Sequence, residues 1–173
     1  MKLGLLSDSH GRAEITARAA RMLLDHGADT LIYLGDIGDE KTLDALALEP
    51  GGNGQLHPSV HLVFGNCDWP LQVLADYARN LGITVDHPAG RLHLAGKQIA
   101  FTHGHIEAEL RQALADGVDY LFHGHTHEIR DERVGDTRVI NPGALFRARE
   151  HTVALLDLPQ DRLDLLSLDS PDQ

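Results

Sequence analysis

Two histidines one residue apart, His125 and His127, follow Gly124 in the segment 122–127. In an extended segment residues i and i+2 point to the same side, so we expect both imidazoles to face one ligand. Gly124 removes the side chain that would block close approach. Neutral imidazole is a common nitrogen ligand of zinc, iron, nickel and manganese. The segment therefore predicts half of a metal site; the alternative is a polar loop rich in histidine.

Polar residues of the types that bind metals follow five predicted strands. These strands cover residues 2–7, 30–34, 60–64, 98–101 and 120–122. The residues that follow them are, in order, Asp8 with His10, Asp36, Asn66, His103 with His105, and His125 with His127. Open α/β sheets gather their ligands at the carboxyl ends of strands. Because acids, an amide and imidazoles recur at these ends, the sequence predicts one shared metal site.

Two of these residues have ordinary structural alternatives. Asp8 could cap the following helix, although a capping role leaves His10 unexplained. Asn66 follows Gly65, and asparagine after glycine is also a common turn residue. As a metal ligand, the Asn66 amide would supply an oxygen without charge.

The order of the predicted elements indicates an α/β protein. Helices are predicted over residues 12–26, 39–48, 71–81 and 106–115, with a hairpin of 91–94 and 98–101. For the helix at 71–81 we expect Pro70 as the first helical residue. After residue 128 the pattern contains strands only, over 128–134, 137–140, 152–158 and 162–168. We therefore expect two β-sheets packed as a sandwich with helices on the outer faces, rather than one doubly wound sheet. The expected organisation is a single domain over 1–168, with a flexible loop at 50–54 and a frayed tail at 169–173.

Composition and charge narrow the classes of function. The chain has 173 residues and a formal net charge of -11, which argues against general binding to nucleic-acid backbones or anionic lipids. No run approaches the roughly 18 apolar residues of a membrane helix, and a charge appears too early for a signal peptide. Cys67 is the single cysteine, so an internal disulfide is impossible. These features predict a cytoplasmic protein; whether it forms a homo-oligomer stays open.

In their order along the chain, these blocks resemble the calcineurin-like metallophosphoesterases. The blocks read Asp-x-His, Gly-Asp, Gly-Asn-x-Asp, His-Gly-His and Gly-His-Thr-His, and Asn141, Pro142 and Gly143 resemble the small single-domain phosphodiesterase branch. The resemblance covers the chain from Asp8 to about Arg147. It implies a four-layer α-β-β-α metallophosphoesterase sandwich with two mixed β-sheets flanked by helices. It also implies a hydrolase of small phosphodiesters.

The resemblance further implies two divalent transition-metal ions. Manganese is the first choice, and nickel, iron, cobalt and zinc are the alternatives. One ion would be bound by Asp8, His10, Asp36 and His127, and the other by Asp36, Asn66, His103 and His125. Asp36 would bridge the pair, and two ions about 3.5–4 Å apart can clamp a phosphoryl group. Two dications would exceed the charge of Asp8, Asp36 and a bridging hydroxide by about one unit, which attracts an anionic phosphate.

Hydrolysis would then proceed by direct attack of the metal-bridging hydroxide on phosphorus, with no covalent enzyme intermediate. Asn66 and His105 are the candidate catalytic and substrate-binding residues, and Arg147 is a further candidate substrate contact. The alternative for His105 is a histidine bonded to the backbone behind the ligands. We expect His123 to have a packing role. Ala144 stands where the family often has a serine, so that local hydroxyl is missing.

Cys67 occupies a position where the broader family commonly has a histidine that donates a proton to the leaving oxygen. A thiol near dications would favour the thiolate, which has no proton to give; the alternative is a buried structural thiol. Two other classes of function stay open. One is a binding scaffold that keeps the fold, as the retromer scaffold subunit that resembles this family does, and the other is a metal store or sensor.

Overall fold

The computed structural model describes residues 1–47 and 58–169. The strands are β1 (Lys2–Leu6), β2 (Thr30–Tyr33), β3 (Ser59–Leu62), β4 (Thr84–Val85), β5 (Ala89–Leu94), β6 (Lys97–Thr102), β7 (Tyr120–Phe122), β8 (Ile129–Val134), β9 (Thr137–Pro142), β10 (Thr152–Asp157) and β11 (Arg162–Ser167). The helices are α1 (Ala13–Asp25), α2 (Glu40–Asp44), α3 (Leu71–Asn80) and α4 (Glu107–Ala115).

The strands form two mixed sheets. The six-stranded sheet has the order β11-β10-β1-β2-β3-β4, in which β1, β2, β3 and β4 are parallel and β10 is antiparallel to β1. The five-stranded sheet has the order β5-β6-β7-β9-β8, with β6, β7 and β9 parallel. The two edge strands β5 and β8 pair antiparallel to their neighbours.

Three apolar clusters separate the structure into four layers. Leu3 and Leu5 of β1 pack with Phe101 and Phe122 of the five-stranded sheet, which makes the cluster between the two sheets. The alternate residue Leu6 faces the cluster beneath α1, α2 and α3, because successive side chains of a strand point to opposite faces. The third cluster lies between the five-stranded sheet and α4. The predicted α-β-β-α sandwich of two mixed sheets is confirmed.

The first helix shows how the pattern of apolar residues places an outer layer. Ile15, Ala19 and Leu23 are buried at intervals of four residues, so one face of α1 packs on the six-stranded sheet. After the helix Gly27 adopts a φ of 86°, a left-handed conformation in which only glycine is unstrained. The helix therefore begins and ends within one residue of its predicted bounds.

The structure differs from the predicted elements in three places. The two-residue strand β4 was not predicted, because a pair of residues carries no detectable alternation. Helix α2 ends at Asp44 rather than continuing to residue 48, and residues 48 and 50–54 of the predicted helix and loop lie outside the described residues. Pro70 precedes α3 as its N-cap with extended backbone, whereas we expected it to be the first helical residue.

Residues 170–173 of the predicted tail also lie outside the described residues. Strand β11 brings the chain back to the six-stranded sheet through its pairing with β10. Within the described ranges, no helix combines the length and the apolar character needed to cross a membrane.

Candidate metal centre

The loops that follow β1, β2 and β3 meet the loops that follow β6 and β7. The strands within each group are parallel, so their carboxyl ends lie on one edge of each sheet. Backbone hydrogen bonds join the loops within each group: the Asp8 N–H donates to the Gly35 carbonyl, and the Gly124 N–H donates to the His103 carbonyl. Across the two groups, the His125 N–H donates to Oδ2 of Asp8. The polar residues at the strand ends are therefore held on a connected backbone frame.

Asp8 is completely buried, and its two carboxylate oxygens have different surroundings. Oδ2 accepts hydrogen bonds from the Ser7 hydroxyl and from the His125 N–H. Oδ1 lies 3.3 Å from Nε2 of His127 and has no hydrogen-bond partner within residues 1–47 and 58–169. Because Oδ2 is held by two donors, Oδ1 is left directed at the histidine.

Asp36 lies between two histidines. Its Oδ2 is 3.5 Å from Nε2 of His10, and its Oδ1 is 3.5 Å from Nε2 of His103. Oδ1 also accepts a hydrogen bond of 2.9 Å from the Cys67 N–H. Burial opposes ionisation, but the contacts with His103 and the Cys67 N–H outweigh it and hold the pKa of Asp36 well below its usual range. Asp36 is therefore an ionised carboxylate that faces both sides of the site.

His103 is fully buried, and its ring is fixed by a backbone carbonyl. Its Nδ1 lies 2.7 Å from the Leu34 oxygen, which assigns the proton to Nδ1 and leaves the Nε2 lone pair for the site. Burial lowers the pKa of His103, but the contact with Asp36 and the charge of Asp8 together raise it by more, so the net shift of the pKa is upward. A bound cation would neutralise the excess negative charge around this ring.

Among the described residues, three buried atoms of this cluster lack a hydrogen-bond partner: Asp8 Oδ1, His10 Nε2 and His103 Nε2. Leaving buried polar atoms unpaired costs about 1–3 kcal/mol for each group, and more for a charged one. The atoms are a carboxylate oxygen and two imidazole nitrogens, which is the donor set that transition-metal ions prefer. Ligand atoms of Asp8, His10 and His127 lie within 4.8 Å of one another, as do those of Asp8, Asp36 and His103. The residues present therefore fit bound metal ions.

The segment of His125 and His127 is not extended, which corrects the expectation from their spacing. Both residues have left-handed backbone, with φ values of 69° and 59°. The two rings consequently separate: His127 contacts Asp8, whereas the ring centroid of His125 lies 5.1 Å from that of His103. The two histidines face different sides of the centre, and the strain of non-glycine residues at positive φ is typical of functional sites.

Gly124 has the role that its position suggested. A Cβ atom there would overlap the Ser7 hydroxyl and crowd Oδ2 of Asp8. The close approach of the histidine loop to Asp8 therefore requires glycine.

Asn66 and Cys67 lie at the exposed rim of the centre. The Asn66 amide nitrogen donates to the Cys67 sulfur at 3.3 Å, and the sulfur lies within 4.8 Å of ligand atoms of His10 and Asp36. The alternative of a buried structural thiol is therefore wrong. Partial burial of the thiol, together with the charges of Asp36 and Asp68, raises the pKa of Cys67 to about 11.

The other candidate residues surround this cluster. The His105 ring lies 5.3 Å from that of His103, and its buried Nδ1 has no hydrogen-bond partner in the part of the chain that the structure describes. In the described ranges His105 makes no backbone hydrogen bond, contrary to the alternative for this residue.

His123 is buried against Arg130 and the Gly124 carbonyl, as a packing role requires. Arg147 is exposed and stacks on Phe146, whose ring lies 5.3 Å from that of His10.

The sequence analysis gave no role to three residues that hold the candidate ligands in place. The buried Asn141 donates to the Gly124 carbonyl and to the Thr126 hydroxyl, which holds the loop of His125 and His127. The Asp68 carboxylate accepts from the N–H groups of Gly38 and Gly65, which joins two ligand loops. The Tyr33 hydroxyl bonds to Ser9, between Asp8 and His10. Asn141 and Asp68 belong to recognised blocks, but only the folded geometry shows what they contact.

Comparison with known proteins gives the same family in sequence and in structure. A sequence model of the calcineurin-like phosphoesterase superfamily domain matches residues 1–161. Phosphodiesterase MJ0936 of Methanocaldococcus jannaschii is 28% identical over 147 residues, which cover 83% of this chain and 83% of the relative. Phosphodiesterase YfcE of Escherichia coli K12 is 29% identical over 154 residues, which cover 84% of this chain and 79% of the relative.

Solved structures extend the likeness to almost the whole chain. A novel archaeal phosphodiesterase superposes with a TM-score of 0.83 at 25% identity, covering 97% of this chain and 100% of its own. Vps29 of Entamoeba histolytica in complex with Zn²⁺ has a TM-score of 0.70 at 21% identity, covering 99% and 95%, and shows the fold alone. From the family model, the phosphodiesterase relatives and the shared fold, the chain belongs to the calcineurin-like phosphoesterase superfamily and is a phosphoric ester hydrolase.

Proposed function

We propose that the protein is a phosphodiesterase that hydrolyses small phosphodiesters with two divalent metal ions. Its first half-site would consist of Asp8, His10 and His127, its second half-site of Asn66, His103 and His125, and Asp36 would be shared by both. The observation that carries the proposal is the convergence of unpaired buried ligand atoms from both sides of Asp36. When bound, the ions would polarise the phosphoryl oxygens and activate a water molecule.

The protein's own groups divide the remaining work. Asp36 presents one oxygen to each half-site, because the Cys67 N–H fixes the orientation of its carboxylate. His105 would donate a hydrogen bond to a phosphoryl oxygen. Burial and the neighbouring His103 and His125 lower the pKa of His105, so its ring is neutral near pH 7 and carries one N–H. Asn66 at the rim would contact the same phosphoryl group.

Manganese is the metal we propose first, since a mixed set of carboxylates, imidazoles and an amide has no soft ligand that would select copper. The substrate would be a small phosphodiester rather than a nucleic-acid chain, because a chain of net charge -11 lacks the basic surface that backbone binding requires. Action in the cytoplasm stays a prediction from the sequence.

The alternative of a non-catalytic scaffold has a structural counterpart in Vps29, whose fold is similar. The intact Asp36 and Asn66 weigh against that reading, because a scaffold does not need a complete set of catalytic metal ligands. Dialysed protein, reconstituted with each candidate metal and assayed on bis(4-nitrophenyl) phosphate, separates the two functions. Turnover supports the phosphodiesterase, whereas absence of turnover with every metal supports the scaffold.

The position of Cys67 predicts which phosphodiesters are hydrolysed fast. Cysteine stands where a proton donor is expected, so departure of the leaving group depends on its own acidity. In a series of aryl phosphodiesters of graded phenol pKa, we expect the rate to fall steeply as the phenol pKa rises. Cys67→Ser should keep its metals and most of its activity, while Cys67→His should gain activity mainly on poor leaving groups. A flat dependence in the wild type, together with loss of activity in Cys67→Ser, would identify Cys67 as the proton donor.

A further inference from the structure

Two arginines converge on one aromatic ring beside the metal centre. The ring of Phe146 lies 5.3 Å from the ring of His10, centroid to centroid. The guanidinium of Arg147 lies 5.0 Å from the Phe146 centroid, and that of Arg12 lies 5.7 Å from it. The Phe146 ring therefore contacts both His10, a candidate ligand of the first half-site, and two cations.

The backbone fixes the position of this group. The Leu145 N–H donates to the Ser7 carbonyl at 3.1 Å, next to Asp8, and the Leu145 side chain is completely buried. Arg12 donates from Nη1 to the Leu145 carbonyl at 3.3 Å, which links the start of α1 to the loop of Phe146. Arg147 has a φ of 48°, an uncommon backbone for a side chain of its size. Both arginines are thus held beside the centre by residues that adjoin its ligands.

In the described ranges 1–47 and 58–169, neither Arg12 nor Arg147 pairs with a carboxylate. Most of the other arginines that make short polar contacts in these ranges do pair with one. Arg18, Arg21 and Arg149 also lack such a partner in these ranges, but of these five arginines only Arg12 and Arg147 lie on an aromatic ring that contacts a candidate metal ligand. Two cations that share one ring repel each other, and an anion between them would relieve that repulsion. The arrangement therefore favours an anionic ligand.

The start of α1 adds to the same positive field. Arg12 is the N-cap of this 13-residue helix and makes no side-chain capping hydrogen bond. The N–H groups of a first helical turn and the helix dipole both favour negative charge. Glu14 in that turn offsets part of the effect. The cations and the helix terminus lie on the same side of the centre, next to His10.

We propose that Arg12, Phe146 and Arg147 form a subsite for a second anionic group, carried by the arm of the phosphodiester that does not leave. This rests on the proposed function and specifies its substrate class: small phosphodiesters whose retained alcohol bears a carboxylate or phosphate. In this proposal the reacting phosphoryl group binds at the metal ions, and the arginines contact a different part of the substrate, since they lie on the Phe146 ring next to His10. The apolar chain between the two anionic groups lies against Phe146.

The test uses two substrates that differ only in the charge of the retained arm. These are 4-nitrophenyl 3-carboxypropyl phosphate and 4-nitrophenyl 3-carbamoylpropyl phosphate, which share leaving group and length. For the manganese-loaded wild type we expect kcat/KM to favour the carboxylate by about tenfold, in keeping with one charge-assisted contact at a partly exposed site. The preference should shrink in Arg12→Gln and in Arg147→Gln, and it should vanish in the double variant.

Arg21→Gln is the matched control, because Arg21 is an exposed residue of α1 and its replacement removes the same charge. It should retain the full preference. No preference in the wild type, or the same preference in the double variant, would overturn the subsite.

A second measurement separates failure of the subsite from failure of the proposed function. Titration calorimetry with the 3-carboxypropyl and 3-carbamoylpropyl esters of methylphosphonic acid measures binding without turnover. If neither substrate is hydrolysed, the proposed function fails, and the subsite is still decided by binding. It stands if wild type binds the carboxylate ester about tenfold more tightly and the double variant binds both esters equally. It falls if wild type does not distinguish them.

Discussion

The two proposed half-sites differ in how far the folded chain assembles them without an ion. In the first, the completely buried Asp8 contacts His127, and both His10 and His127 are only about one-fifth exposed. In the second, His103 is buried and fixed by a backbone carbonyl, but Asn66 and His125 are exposed. A preassembled set of ligands loses little conformational entropy on binding, whereas exposed ligands must be ordered by the ion. The difference predicts unequal affinities for two ions in one centre.

Replacement of Asp36 should remove the expected difference in ion affinity between the two half-sites. Asp36→Ala removes the carboxylate that contacts both His10 and His103, so both half-sites should weaken together. We expect at least a 100-fold loss of affinity at each, since even outer partners of metal ligands contribute about 10–100-fold. Elemental analysis after manganese loading gives the stoichiometry, and hydrolysis of bis(4-nitrophenyl) phosphate should fall in parallel.

Asp136→Ala is the matched control for that variant, because Asp136 lies in the exposed turn between β8 and β9. It should bind two ions as the wild type does. A wild type that holds one ion at saturation, or an Asp36→Ala protein that still holds two, contradicts the shared role of Asp36.

Variants of single half-sites should affect the two ions separately. His127→Ala removes a ligand of the first half-site, so we expect loss mainly of the tighter ion. Asn66→Ala removes an exposed ligand of the second and should abolish mainly the weaker ion, with an effect of about 10–100-fold. Manganese titration followed by calorimetry measures both steps. Equal affinities in the wild type, or the same step lost in both variants, would show that the half-sites are not distinct.

Much of the fold was predictable because its information is local. The buried runs of β1 and β2 and the apolar face of α1 appear directly in the residue pattern, and the carboxyl ends of parallel strands must lie together. The conformation of the histidine loop was not predictable in this way. Left-handed φ at His125 and His127 depends on long-range contacts, namely the approach of Gly124 to Ser7 and the hydrogen bonds from Asn141.

The neighbours of His10 were missed for the same reason. Arg12 was treated as part of a helix and Phe146 received no role, because 133 residues separate Arg12 from the Leu145 carbonyl that it contacts. Chain separation hides such a pair from any periodic pattern. Arg147 entered the sequence analysis only as an isolated candidate, and its partner ring appears only in the folded chain.

Metal binding should stabilise the protein, and the course of stabilisation should reflect the unequal half-sites. A ligand that binds only the native state raises the free energy of unfolding by mass action, by about 2.7 kcal/mol at a concentration 100 times its dissociation constant. For a chain of this size that corresponds to about 5–11 °C in Tm. We expect most of the rise at low manganese concentration, as the first half-site fills. A Tm unchanged at concentrations that support activity would mean that the ligands do not converge.

The rate at which the Cys67 thiol is alkylated should depend on whether the ions are bound, because Cys67 lies at the rim of the centre. In the metal-free protein, partial burial of the thiol and the charges of Asp36, Asp68 and Asp8 raise the pKa of Cys67 to about 11. Below that value the thiol is protonated, so alkylation by iodoacetamide should be slow near pH 8 and rise as pH approaches the pKa. Bound dications neutralise the same carboxylates, so the pKa should fall and alkylation should accelerate.

At pH 8 the thiolate fraction should rise about tenfold for each unit by which the pKa falls, and the alkylation rate should rise about threefold, because a less basic thiolate is also a weaker nucleophile. Cys67 is the single cysteine, so the mass of the intact chain measures the reaction without assignment of sites. Asp68→Asn, which removes one of the neighbouring charges while keeping a polar side chain, should lower the thiol pKa in the metal-free protein. If ions slow the alkylation instead, the thiolate is itself bound, and Cys67 belongs among the ligands. In that case the second half-site is less exposed than its amide and imidazole suggest, because the sulfur would close its rim.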